Sequence, residues 1–84
     1  MSQEQNKDTR ELTFGEELIG ISFNPSGNEQ VNEVKKLSAQ IVDTLVDSFD
    51  NKEITHIQGK LIDNALMQLV NAQMAVVKAL THSL

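Results

Sequence analysis

The apolar residues of this chain fall into one broken cluster followed by two long helical patterns. From Glu11 to Phe23 the run ELTFGEELIGISF sets Leu12, Phe14, Leu18, Ile19, Ile21 and Phe23 around Gly15 and Gly20. Thr13 stands three residues ahead of Glu16, the form of a capping box, and Gly20 can adopt the left-handed conformation that ends a helix. The spacing predicts a short helix over Phe14 to Ile19. A strand over Ile21 to Phe23 is the competing reading, although no partner strand is evident elsewhere.

A longer helix is predicted from Glu29 to Phe49, with Asn28 as N-cap and Glu29 in the first turn, where the helix dipole favours an acid. Val34, Leu37, Ser38, Ile41 and Leu45 form one stripe; Val31, Val42, Val46 and Phe49 form a second beside it. At about 100° per residue the two span about half the helical wheel, wider than one packing face needs. Asp50-Asn51-Lys52 breaks the pattern. A second long helix resumes by Glu53 or Thr55, with Ile54, Leu61, Ile62, Ala65, Leu66, Leu69, Val70, Ala72, Val76, Val77 and Leu80 again covering more than half the wheel. The short turn between them predicts an antiparallel two-helix hairpin with a short N-terminal segment, an all-α fold.

Faces this wide on so short a chain cannot all be buried by the chain itself. The expected outcome is a symmetric homo-oligomer that covers the second stripe of each helix, with Ala65, Ala72, Ala75 and Ala79 permitting close approach. Residues 1–10 are polar and aperiodic and read as a mobile arm, which leaves 11–84 as one domain. No apolar run of about 18 residues occurs and no basic start precedes an apolar stretch, so neither a membrane span nor a signal peptide is expected.

Composition narrows the chemistry. The 84 residues include no Cys, which removes disulfides, thiolate metal sites and thiol nucleophiles. Twelve acids against seven basic residues give a formal charge of −5, which argues against long DNA or RNA as a partner, because that binding rests on neutralising many phosphates. A small ligand with two or three phosphates needs only a few local cations and N–H donors, so it stays open. His56 and His82 have no acid at a metal or triad spacing. Asp43 and Asp47 share a helical face but lack a third ligand and read as a solvated surface. No catalytic group, metal or cofactor is assigned.

The candidate site lies in Phe23-Asn24-Pro25-Ser26-Gly27-Asn28. This turn holds the only Pro, one of four Gly and one of three aromatic residues. Pro25 fixes its own φ and extends Asn24; Gly27 can take positive φ; Asn24, Ser26 and Asn28 can each bond nearby amides at a helix start, where anions are favoured. Lys35 falls within the second apolar stripe, either snorkelling from its edge or meeting an anion at a subunit boundary. Lys36 points outward, and Lys60, near the start of the second long helix, reads either as part of a solvated face or as a contact for an anion. Phe14 and Phe23 flank the turn as base-stacking faces or as staples into the core. Gln73, on the apolar side of the second long helix, needs a buried partner, most simply its counterpart across a subunit interface.

The segment FNPSGNEQVNEVKKLSAQIVDTLV (Phe23 to Val46) and the later NAQMAVVKAL, with Ala72, Met74 and Ala79, resemble the hairpin domain of small bacteriophage anti-CBASS sponge proteins, a domain related to one in anti-Thoeris sponges. The likeness spans roughly residues 12 to 82. It implies a homohexamer in the cytoplasm of the infected bacterial host, binding cyclic dinucleotide messengers between protomers without cleaving them. Carried over by position, Phe14 or Phe23 would stack on a base, Asn24 to Asn28 would supply polar and backbone contacts, and Lys35 or Lys36 would meet phosphate. A second site, for cyclic trinucleotides, would use Lys60 with Asp63 and Asn64. Related sequences often carry Tyr near the first pocket and Trp after the Met; this chain has neither and places Ala75 after Met74. The competing classes are an acidic helical adaptor that inhibits a host protein by direct binding, and a DNA mimic.

Overall fold

The computed structural model describes residues 11–25 and 27–82. The arm expected over residues 1–10, and Ser26 of the turn, lie outside the described residues. What is described is all helical, in three helices: α1 (Phe14–Ile19), α2 (Glu29–Ser48) and α3 (His56–Thr81). No strand occurs among the described residues, and Ile21 to Phe23 lie in a turn closed by the Phe23 N–H, which donates to the Gly20 carbonyl at 3.0 Å.

Helix α1 starts and stops where its local chemistry dictates. The Thr13 hydroxyl accepts from the Glu16 N–H while the Glu16 carboxylate accepts from the Thr13 N–H at 2.9 Å, closing the capping box. Gly20 takes φ 76°, and its N–H and that of Ile21 satisfy carbonyls of the last turn. Asn28 caps α2 by accepting from the Val31 N–H at 3.0 Å. Thr55 and Gln58 form a second capping box at the start of α3, so that helix begins at the later of the two positions its sequence offered.

A carboxylate docks α1 onto α2. Asp43 accepts from the Thr13 hydroxyl at 2.6 Å and from the Gly15 N–H at 2.7 Å. The Thr13 hydroxyl therefore donates to Asp43 while it accepts from α1. Asp43 is half-buried, which corrects its reading as a solvated surface residue; Asp47 is exposed. Gly15 is required here, because a Cβ at that position would run into the Ala39 carbonyl oxygen and the Asp43 carboxylate. The two helices meet backbone to backbone.

Behind this contact lies the core: Ile19, Ala39 and Val42, with Leu18, Ile21, Val46, Leu66, Leu69 and Val70 packed against it. Thus the second stripe of α2 is covered within the chain, by α1 and α3. The expectation that a neighbouring copy would cover it is corrected, because α1 and α3 of the same chain pack on that face. In the first stripe Ser38 is buried and Val34 and Leu45 are half-buried, while Leu37 and Ile41 stay about half exposed, and α3 leaves Ile57, Leu61, Met67 and Met74 exposed. The Cα trace measures 42 × 42 × 12 Å, about one helix thick, where stable domains stack two layers. No helix of the described residues is long and apolar enough to cross a membrane.

Candidate functional site

The turn closes on itself and on α2. The Asn24 carbonyl accepts from the Gly27 N–H at 3.1 Å, with Gly27 at φ 67°. Asn24 Nδ2 donates to the Asn28 carbonyl at 2.9 Å and to Asn32 Oδ1 at 2.8 Å. Asn24 and Asn28 are therefore engaged in fixing the turn over the first turn of α2, and the Asn28 cap occupies one of the N–H groups that an anion would otherwise seek.

Below the turn lies a cavity of about 280 Å³. Phe23, Asn24 and Pro25 form its lip; Val31 and Lys35 of α2 and Gln73, Met74, Val77 and Thr81 of α3 complete it. No carboxylate lines it, so the acidity of the whole chain does not extend to these walls. Among the described residues no group of His, Asp and Glu could hold a metal ion.

Lys35 is the cation of this cavity. It is only 6 % exposed, placed there by its position between Val31 and Val42 on the buried stripe. Its Nζ donates to the Gly20 carbonyl at 3.0 Å and stands 5.6 Å from the centroid of the Phe23 ring. An ammonium has three donors, and a buried charge is costly unless its hydrogen bonds are met. One carbonyl and one aromatic face meet that need only in part. Phe23 is 69 % exposed, so its ring remains available on the outer side.

Gln73 faces the same cavity. It is the one buried residue of α3, and its Oε1 has no hydrogen-bond partner. Both buried polar groups of the cavity thus carry unused capacity, one as donor and one as acceptor.

Of the residues singled out from sequence, the cavity brings together Phe23, Asn24, Pro25 and Lys35. Gly27 and Asn28 shape the turn without lining the cavity. Phe14 sits at the first position of α1, half exposed and away from it. Lys36 lines a shallow depression with Glu29 and Glu33, where neighbouring carboxylates oppose an anion. Lys60 and Asp63 line an open groove at the start of α3 with Thr55, His56 and Gly59, and Asn64 lies outside it. Sequence reasoning missed Met74, Val77 and Thr81 as walls. The signal was present in part: Gln73 on an apolar face marks the part of α3 that turns inward.

Comparison of the chain with family models, with curated proteins and with solved structures gives no match.

Proposed function

We propose that this protein is a stoichiometric sponge for cyclic dinucleotide second messengers, which it holds uncleaved at the cavity beneath the Phe23-Asn24-Pro25 turn. The observation that carries the reading is a buried lysine in an apolar cavity free of carboxylates, beside an exposed aromatic ring. A cyclic dinucleotide combines two anionic phosphates with flat bases, and it asks for a cation and a stacking face together. The sequence resemblance to anti-CBASS sponges supports the same reading, with the cytoplasm of an infected bacterium as the setting.

A cavity of about 280 Å³ falls below the roughly 300–1,000 Å³ of sites that enclose a drug-sized molecule. It takes one base of the ligand and leaves the remainder to a neighbouring subunit. In this reading α2 and α3 form an antiparallel hairpin, since the start of α2 shares the cavity with the end of α3 while Leu45 and Phe49 line a second hollow with Gln58, Leu61 and Ile62. The hairpins assemble as a symmetric homohexamer through the first stripe of α2 and the exposed face of α3. Lys60, Asp63 and Asn64 are the residues proposed for a second, cyclic trinucleotide site.

Titration calorimetry against a panel of cyclic di- and trinucleotides tests the reading. The expected result is submicromolar binding of at least one cyclic dinucleotide, recovery of intact nucleotide after denaturing the complex, and a loss of at least about tenfold in affinity for Lys35→Met. Absence of submicromolar binding to every member of the panel rejects it. A second reading rests on the apolar groove formed by Leu37, Ile41, Thr44 and Leu45 of α2. Here the protein is an acidic helical adaptor that docks a host protein on that stripe, with no thermal shift from any nucleotide.

A further inference from the structure

The longest helix buries a single side chain, and that side chain is polar. Gln73 is 5 % exposed, lies between Leu69 and Val77 on the inward line of α3, and leaves Oε1 sealed from solvent without a partner. An apolar residue of similar size would occupy this place with no such cost, since an orphaned buried acceptor is destabilising. The matching group cannot simply be the same residue of a second copy across an outer surface, because the chain's own atoms already enclose Gln73. Its partner has to be small enough to enter the cavity. The terminal amide torsion is broad and two-fold, so a modest rotation presents Oε1 to an occupant.

We propose, resting on the sponge reading above, that Gln73 and Lys35 together read the 6-oxo, N1–H edge of a guanine seated in this cavity. Lys35 can only donate, and guanine offers O6 and N7 as acceptors, the pattern a lysine recognises best among the bases. Gln73 Oε1 can only accept, and N1–H lies beside O6 on the same edge. Adenine, the base a glutamine commonly pairs with, can meet Oε1 through its N6 amine, but on this edge it inverts the order and places that amine where the ammonium needs an acceptor. Phe23 at the lip supplies the stacking face, while Val31 and Val77 enclose the ring. Gln73 thereby becomes a specificity-determining residue that shares the base edge with Lys35.

The test compares cyclic di-GMP with cyclic di-AMP by calorimetry on the full-length chain, wild type and Gln73→Leu. The wild type is expected to bind cyclic di-GMP at least about tenfold more tightly, and Gln73→Leu to reduce that preference to within about threefold. A merely structural glutamine would not move the ratio of the two affinities. Should Gln73→Leu fail to fold, Gln73→Met carries the same comparison with a more adaptable side chain. Equal affinities in the wild type, a preference for cyclic di-AMP, or a full guanine preference retained in the variant overturns the assignment. If neither ligand binds but another cyclic dinucleotide does, the base assignment fails and the sponge reading stands; if no cyclic nucleotide binds, both fail.

Discussion

The α1–α2 corner and α3 are built on opposite terms. At the corner each polar group has its partner: Thr13 serves Glu16 and Asp43 at once, Asp43 also holds the Gly15 N–H, and Val42 behind them is fully buried. Helix α3 is the longest element, yet it buries only Gln73, and leaves that residue's acceptor unmet. Satisfied and unsatisfied polar groups are thus segregated. The corner is a rigid support, and α3 contributes one wall of the cavity while exposing most of its apolar residues.

The sharpest way to break this contrast is at the close approach of α1 to α2. Gly15→Ala should cost about 3 kcal/mol, because the added methyl meets backbone and carboxylate that cannot move aside; urea unfolding followed by circular dichroism measures it. Asp43→Ala should cost about 2 kcal/mol in the same assay by leaving the Gly15 N–H without its acceptor. Thr55→Ala, which removes only the capping box of α3, should cost about 1 kcal/mol. Ile57→Ala is the smallest. Ile57 is 63 % exposed, so in dilute protein the change should stay within about 0.5 kcal/mol. A larger loss that grows with protein concentration, read from melting curves over a dilution series, would show that another copy covers this part of α3.

Much of the local structure was legible from residue order alone. The limits of α1, the Asn28 cap and the inward placement of Lys35 follow from interactions among residues a few positions apart. Three matters were not legible. Asp43 reads as surface because its partners, Thr13 and Gly15, stand about thirty residues earlier. The two stripes of α2 are equally apolar, and periodicity does not tell which one α1 will cover. The cavity joins a turn to the far end of α3, so Met74, Val77 and Thr81 carry no local mark of their place in it.

The sequence by itself determined the limits of α1, the start of α2 at its Asn28 cap, the break at Asp50-Asn51-Lys52 before α3, and an apolar surface larger than one short chain can hide. These are consequences of short-range hydrogen bonding and helical period. Only the tertiary structure decided which stripe became core, that a carboxylate and a glycine weld the corner, and that Phe23, Lys35 and Gln73 face one cavity. The physical reason is that such choices compare long-range contacts, whose relative cost depends on which helix has already taken the space.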